Sequence, residues 1–440
     1  MNEMKNANEV KNVNEVSSQF DQIIGYEKIK KELMKVVDMV KRPEVYEKLG
    51  AKMPHGILLD GEPGLGKTLM ARCFIEESGL NSITLRKSGK GENFTEEIEK
   101  SVLAAIGNQP CILLMDDMDK YANEDYNHRD AEEYVAVQAG FEKIKEEHAD
   151  VLVIGTVNQA NKLPKSLLRA GRFDIKLEVE VPKYEEAEKI FAYYMRDKAI
   201  DSDVDVKDLT KMIKGCSCAE LEQLLNDAAM RAGFDGEDKI HMHHMIETVL
   251  DNNFGVETGN FDAENDKACE IAMHEAGHVV VAEALQRDSV GFVSINGDED
   301  GEEGGITSLW KSLNRTPQNV MMGLAGKVAS ELYFGGHAAS GAQTDLIKSY
   351  KCLKQSMLFN GSLGYNLMSC NQYDDDVEKM QMAVVAAELQ RYEHVVRGVL
   401  IKNRALLEAI RDALLCKGIL LNSEIQGLVE EYGIVEEVVA

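Results

Sequence analysis

The stretch Gly56-Ile57-Leu58-Leu59-Asp60-Gly61-Glu62-Pro63-Gly64-Leu65-Gly66-Lys67-Thr68-Leu69 decides the fold. It opens on a short apolar run punctuated at once by glycines. Such a run reads as a strand buried on both faces, as in a parallel sheet covered by helices. Gly61 to Thr68 then fits G-x-x-x-x-G-K-[ST]. Glycines belong there because backbone N–H groups must turn inward around phosphates with no Cβ in the way. Pro63, Gly64, Leu65 and Gly66 form the cradle. Lys67 reaches the β- and γ-phosphates, and Thr68 offers its hydroxyl to Mg²⁺. Leu69 continues the helix whose positive end faces the phosphates. The expected ligands are ATP and Mg²⁺.

Two further apolar runs, Cys111-Ile112-Leu113-Leu114-Met115 and Val151-Leu152-Val153-Ile154-Gly155, alternate with helix-like segments. Together they predict a doubly wound α/β domain. The first of these runs ends in Asp116-Asp117. A carboxylate at a strand end can hold Mg²⁺ through water, the role expected of Asp116, while Asp117 is placed to orient the attacking water. The second leads into Thr156-Val157-Asn158, which points Asn158 at the γ-phosphate. Arg169 and Arg172 follow in Leu167-Leu168-Arg169-Ala170-Gly171-Arg172-Phe173-Asp174. A planar, permanently charged fork suits spreading phosphoryl charge, so both could reach into the nucleotide site of a neighbouring subunit. Pairing with Asp174 or Glu178 on their own surface is the competing reading, and spacing leaves both open.

His274-Glu275-Ala276-Gly277-His278 carries a second chemistry. On a helix, positions i and i+4 share a face, so His274 and His278 can bind one Zn²⁺. Glu275 then stands beside the metal as a general base. Composition makes roughly 0.04 chance occurrences of this pattern expected, so accident is a poor explanation. A peptidase zinc needs a third protein ligand. Asp345, Glu331, Asp298 and His337 are candidates. Asp345 lies in Ser340-Gly341-Ala342-Gln343-Thr344-Asp345, where a helix cap is an equally good reading. The cluster His241-Met242-His243-His244 has no acid or cysteine at ligand spacing in the sequence and reads as structural or surface. The pairs Tyr193-Tyr194 and Met321-Met322 read as core.

The 440 residues suit two or three domains, and 44% apolar with 28% charged residues describe a soluble globular chain. A formal charge of -27 disfavours nucleic acid and anionic lipid as partners. Eight scattered cysteines with no Cys-x-x-Cys pair suggest reduced thiols in the cytoplasm. No stretch approaches the ~18 apolar residues of a membrane helix. The expected division is a polar tail at 1–18, a nucleotide-binding α/β domain at 19–183 and an all-α lid at 184–250. A linker at 251–262 and a mainly helical metallopeptidase domain at 263–440 complete it. Within the last, a β-like insertion runs from Gly291 to Trp310, and one long helix from about Val377 to Leu415.

These motifs together resemble the FtsH family, the AAA+ zinc proteases. The resemblance runs from about Phe20 to Gln426. It rests on Lys48 to Pro54, the phosphate loop, Leu167 to Asp174, and Gly215-Cys216-Ser217 with Glu220-Leu221. In the second half it rests on His274 to His278, Leu324-Ala325-Gly326-Lys327-Val328-Ala329 and Gly341 to Asp345. The resemblance implies an ATP-dependent zinc endopeptidase acting on unfolded or damaged protein. It implies Asp345 as third zinc ligand, Asn158 as sensor, and Arg169 and Arg172 as arginine fingers acting in trans within a hexameric ring. Ile23, Ile24 and Gly25 match the segment lining the adenine pocket. Gly304 to Leu309 holds the family's substrate-pairing strand.

Three departures stand out. The family's two N-terminal membrane helices are not found. Asp117 replaces a glutamate, and a reach shortened by roughly 1 Å can cost ~10²-fold. Where the family has an aromatic pore loop, this chain reads Lys87-Ser88-Gly89-Lys90-Gly91, with Phe94 nearby. They keep two other readings open: a non-proteolytic remodelling or scaffold ATPase with a silent peptidase domain, and an ATP-gated peptidase with weak unfolding power.

Overall fold

The apolar runs become the inner strands of a parallel sheet, and the histidine motif becomes the most deeply buried helix. In the computed structural model, residues 18–87, 94–122, 131–256, 258, 266–296, 304–335, 342–360 and 375–437 are described. The chain divides into two compact units, Met1–Tyr193 with Gly215–Glu222, and Tyr194–Lys214 with Gln223–Ala440.

In the first unit the order is α1 (Glu27–Lys41), α2 (Pro43–Lys48), β1 (Gly56–Asp60), α3 (Lys67–Ser78), β2 (Asn81–Arg86) and α4 (Phe94–Gly107). Then follow β3 (Cys111–Asp116), α5 (Ala131–Glu146), β4 (Val151–Val157), β5 (Ile175–Glu178) and the start of α6 (Tyr184–Met195). The five strands are parallel, in the order β2-β3-β4-β1-β5. Leu58, Leu113 and Val153 are fully buried, which is why the three inner strands read as unbroken apolar runs. The two edge strands, Asn81-Ser82-Ile83-Thr84-Leu85-Arg86 and Ile175-Lys176-Leu177-Glu178, alternate instead and carry a much weaker signal. β1 lies between β4 and β5, so the chain reverses direction of growth beside it. The loop after β1 therefore opens into the crevice where doubly wound folds take their ligands.

The second unit takes the end of α6, then α7 (Val206–Met212), most of α8 (Cys218–Phe234), α9 (Met242–Phe254), α10 (Asp266–Leu285), β6 (Val290–Ser294) and β7 (Ile306–Leu309). It continues with α11 (Thr316–Phe334), α12 (Ala342–Asn360), α13 (Asp375–Lys402), α14 (Arg404–Lys417), β8 (Ile419–Leu421) and α15 (Asn422–Tyr432). Every residue of α10 from Ala272 to Ala284 is buried. A helix apolar all round has to be wrapped by others, and α11 and α14 pack against it. Gly277 permits the close approach of α11: a Cβ there would stand 2.6 Å from the Ala329 Cβ and 2.8 Å from the Ala325 carbonyl.

Several expectations are revised. The long C-terminal helix breaks at Asn403, whose φ of -109° and ψ of 25° leave the α region. The buried Asn403 side chain donates to the Val399 and Val435 carbonyls at 2.9 and 3.2 Å and accepts from the Val435 N–H at 2.6 Å. It thus stands in for backbone groups and ties the C-terminal segment to the helix junction. The β insertion acquires a third strand, β8, giving an antiparallel sheet in the order β7-β6-β8. Helix α9 runs to Phe254, into the expected linker, and stops at Gly255 with φ +62°. Tyr193 is 40% exposed rather than core. Residues 1–17, 257 and 259–262 lie outside the described residues. Among the described residues no helix is long and apolar enough to cross a membrane.

Candidate functional site

The turn after β1 takes positive φ at Gly61, Gly64 and Gly66 (159°, 80° and 84°), as an inward-facing nest of N–H groups requires. Lys67 opens α3 and is buried. Its Nζ donates to the Gly61 and Glu62 carbonyls at 2.6 and 2.7 Å and to Asn158 Oδ1 at 3.0 Å. Burial pulls its pKa below the ordinary lysine range, with Asp119, Asp117, Asp60 and Asp116 pulling back. A multiply charged anion in this nest would restore the favourable balance. The Thr68 hydroxyl donates to Asp116 Oδ1 at 2.9 Å, and Thr156 donates to the same oxygen at 2.7 Å. Asp116 is 2% exposed. Thr68 and Asp116 are thus a ready-made oxygen pair for Mg²⁺. Leu69 is 42% exposed.

Asp117 sits at φ +54°, ψ 50°, and its N–H donates to Thr156 Oγ1 at 2.9 Å. Its carboxylate is held by Lys120 at 2.7 Å and Arg86 at 3.3 Å. Burial raises its pKa, but these two cations outweigh that and keep it below the usual aspartate range. Asn158 is fixed from both sides: Lys67 donates to Oδ1, and Nδ2 donates to Asp119 Oδ2 at 3.1 Å. Asp119 was not a sequence candidate. Its position one turn past the strand-end acids was the available signal.

Around the loop, Ile23 is buried, Ile24 is half-buried and Gly25 has φ +74°. The Tyr26 N–H donates to Glu186 at 2.8 Å. The Ala219 N–H donates to the Gly64 carbonyl at 3.1 Å, and a Cβ on Gly64 would come within 2.9 Å of Ser217 Oγ. Arg169 is exposed. Arg172 is not free for a neighbour: it donates to the Ser166 carbonyl at 2.6 Å and to Glu142 at 3.0 Å. Neither arginine pairs with Asp174 or Glu178, the surface partners of the competing reading; Asp174 is engaged by His55 and the Gly171 N–H. Lys87 pairs with Glu133 at 2.7 Å, and Phe94 is buried against Tyr121 with ring centroids 4.9 Å apart. Phe94 is therefore unavailable as a gripping aromatic. Residues 88–91 lie outside the described residues.

In the second unit, α10 holds His274 and His278 on one face, and α12 brings Asp345 to them. The His274 and His278 Nε2 atoms are 3.1 Å apart, and each lies 3.3 Å from Asp345 Oδ2. Zinc bonds of ~2.0–2.1 Å in a tetrahedron space the ligand atoms about 3.3 Å apart, so this donor set fits the ion as it stands. The Met322 carbonyl lies 2.8 Å from His278 Nδ1 and fixes the ring with Nε2 turned to the site. Burial opposes protonation of His278, yet Asp345 and Glu275 outweigh it and raise its pKa. Burial likewise raises that of Asp345, but the two imidazoles win and hold it far below the carboxylate range. Positive charge here is electrostatically welcome.

Glu275 is buried, and the Thr307 hydroxyl donates to its Oε2 at 2.5 Å. A cavity of about 460 Å³ opens over this cluster, lined by Glu275, His278, Asp345, Gly305, Thr307 and Lys348 among others. Of the other third-ligand candidates, Glu331 is taken by Lys327 and Arg397, each at 2.8 Å. Asp298 and His337 lie outside the described residues. Sequence reading gave no role of its own to Gly326, whose α-carbon faces His274 so closely that a Cβ would strike Nε2. It also missed Thr307 and the Met322 carbonyl.

One other grouping of metal-type side chains occurs among the described residues. The fold brings Asp201 and Asp203 to His241 at 3.9 and 3.5 Å, acids the linear sequence kept out of view. Asp201 pairs with Lys239, and Asp203 accepts from the Met242 N–H. His241 caps α9, and its N–H donates to the buried His244. These contacts build a helix start.

A doubly wound sheet with a phosphate nest and strand-end acids, on the same chain as a His-Glu-x-x-His helix completed by a distant aspartate, defines an AAA-type nucleotide-binding domain accompanied by a zinc-peptidase type of site. The comparisons agree. Residues 57–181 match the family described as "ATPase family associated with various cellular activities (AAA)". The chain is 29% identical over 369 residues to the ATP-dependent zinc metalloprotease YME1 homolog of Schistosoma mansoni, covering 77% of this chain and 53% of that one. It is 27% identical over 450 residues to ATP-dependent zinc metalloprotease FtsH 3 of Synechocystis (93% and 72%), and 30% identical over 371 residues to FtsH 2 of Salinibacter ruber (78% and 52%). The chain is thus similar, over most of its length, to the ATP-dependent zinc metalloproteases of the FtsH and YME1 type. It spans about half the length of the Schistosoma and Salinibacter relatives.

Proposed function

We propose that this chain is an ATP-dependent zinc endopeptidase that moves unfolded or damaged protein to its cavity and hydrolyses it there. The observation that carries this reading is the meeting of three donors, His274, His278 and Asp345, at 3.1–3.3 Å beside a buried glutamate. Zinc, when bound by those three, supplies Lewis-acid polarisation of a peptide carbonyl. Glu275 takes a proton from the attacking water at its carboxylate and returns it to the leaving amine. The edge of β7 that no other strand pairs among the described residues, half-buried beside the cavity, offers backbone groups on which an extended peptide can add as a strand.

In the nucleotide site, Pro63 to Leu69 and Ile23, Ile24 and Gly25 hold ATP, Thr68 and Asp116 hold Mg²⁺, Asp117 orients the attacking water, and Asn158 senses the γ-phosphate. Assembly is a homo-oligomeric ring, hexameric by analogy with the family, in which Arg169 reaches the next subunit's nucleotide. Arg172 would first have to leave Glu142 and the Ser166 carbonyl. The working division is 19–183, a lid from 184 whose last helix runs to Phe254 rather than 250, and 263–440. The free cysteines among the described residues accord with a reducing cytoplasm.

Degradation of an unstructured protein, measured with and without ATP and chelator, tests the reading. Lys67→Ala is expected to abolish ATP turnover and ATP-dependent degradation, and Glu275→Gln to lower degradation at least ~10²-fold with ATP turnover intact. Unchanged degradation by Glu275→Gln would sink it. The ion pairs on Asp117 support one second reading, a peptidase with slow ATP turnover and weak unfolding. Efficient degradation of a tightly folded, tagged domain would exclude that.

A further inference from the structure

The edge strand beside the cavity has a feature that peptide pairing does not require. Thr307 points its hydroxyl at Glu275, donating to Oε2 at 2.5 Å. Two residues earlier, Gly305 lies so close to the same carboxylate that a Cβ would strike Oε1 and the rest of the group. Strand β7 therefore supplies a hydrogen bond to one oxygen of Glu275, and the residue just before it sets a bare backbone against the other. We infer that Thr307 is a positioning residue for Glu275, seating its carboxylate through the edge strand, with Gly305 providing the clearance. The inference deepens the peptidase reading and rests on it.

The sheet explains how a side chain from β7 comes to face α10. On β6, Val290 pairs with Leu309 and Phe292 with Ser308, so Gly291 is an extra residue at a β-bulge. A bulge shifts side-chain phase by one residue on the far side. Past it, Val293 stands opposite Thr307. Gly291 is itself constrained, since a Cβ there would come within 2.5 Å of the Lys211 carbonyl. On the other side, the fully buried Glu283 accepts the N–H groups of Asp288, Ser289 and Val290 at 2.8, 2.9 and 3.0 Å. This anchors the turn from α10 into β6. The register that delivers Thr307 is thus fixed by α10, the helix that carries Glu275.

Function follows from the two faces of one short strand. Its outer edge is where an extended peptide would add, and its inner side holds the base. A peptide pairing with β7 would stiffen the strand and with it the seat of Glu275, so proper alignment of the substrate and of the carboxylate would come together. A free carboxylate would instead sample orientations that miss the attacking water, and misplacement by about 1 Å can cost up to ~10²-fold in rate.

The test uses the full chain with ATP, zinc and an unstructured protein substrate. It compares Thr307→Val, Thr307→Ser, Glu275→Gln and wild type for kcat, KM, bound zinc and ATP turnover. Thr307→Val is expected to lower kcat about tenfold or more, with KM within about twofold and with wild-type zinc content and ATP turnover. Thr307→Ser, which keeps the hydroxyl, is expected to restore most of kcat. The inference is overturned if Thr307→Val keeps wild-type kcat, if Thr307→Ser is no better than Thr307→Val, or if Thr307→Val loses zinc, which would make the residue a support of the metal site. An active Glu275→Gln would instead bring down the peptidase reading itself. An inactive Glu275→Gln beside a fully active Thr307→Val would remove only the inference.

Discussion

At the scale of single residues, the two sites are built by what small residues leave open as much as by what charged ones supply. Gly64 lets the phosphate loop pass Ser217, and Gly326 makes room for the His274 ring. The latter yields a sharp expectation. In Gly326→Ala, the added methyl must displace the His274 imidazole, because the three atoms nearest to it all belong to that ring. Zinc per chain, read by atomic absorption after dialysis, is expected to fall well below one while the helical circular dichroism signal persists. Full zinc occupancy in that variant would show that the ring does not need its present position. Asp117 makes a related point with a charged group. Its reach is set by one methylene fewer than the family's glutamate, and its freedom by Lys120 and Arg86.

At the scale of elements, the joints carry the polar interactions. Asp288, in the turn between α10 and β6, accepts from Lys211 of α7 at 3.1 Å, from Lys311 at 2.8 Å and from Asn422 of α15 at 2.9 Å. Lys211 and Lys311 also lie over the Trp310 ring, 4.8 and 4.4 Å from its centroid. Burial raises the Asp288 pKa, but Lys311, Asn422 and Lys211 outweigh it, so the folded value is depressed. A depressed carboxylate stabilises the fold above its unfolded pKa, near ~3.9, and that contribution fades as pH falls through the folded value. Asp288→Asn is therefore expected to be less stable than wild type at neutral pH, by ~1 kcal/mol after solvent screening. The gap between their urea midpoints should begin to close as pH falls below about 4 and go on closing toward the depressed folded value. A gap independent of pH would mean that charge is not what Asp288 contributes.

At the scale of the whole molecule, the dominant quantity is a net charge of -27 on 440 residues. Self-repulsion of that size destabilises a compact state and opposes assembly of identical chains, and salt screens it within about 10 Å at 0.1 M. Raising sodium chloride from ~10 mM to ~0.5 M should lift the thermal midpoint by several degrees and favour the oligomer in sedimentation velocity. A midpoint that falls with salt would mean that specific ion pairs outweigh the global repulsion.

What the sequence determined by itself is local chemistry at short range. Lys67 and Thr68 follow an apolar strand, His274 and His278 stand one helical turn apart with Glu275 between them, and three inner strands announce themselves by unbroken apolar runs. Each of these depends on neighbours a few residues away, where spacing dictates geometry. Only the tertiary structure decided which groups from distant segments converge. It gave Glu331 to Lys327 and Arg397 while Asp345, which the family resemblance had already implied, stands beside the histidines, set Asp119 against Asn158, and bent the C-terminal helix at Asn403. Through a bulge at Gly291 it also turned Thr307 toward Glu275. The edge strands β2 and β5 and the late strand β8 escaped the reading for the same reason: a strand at a sheet's edge owes its place to partners far along the chain, and its own residues need not be apolar on both faces.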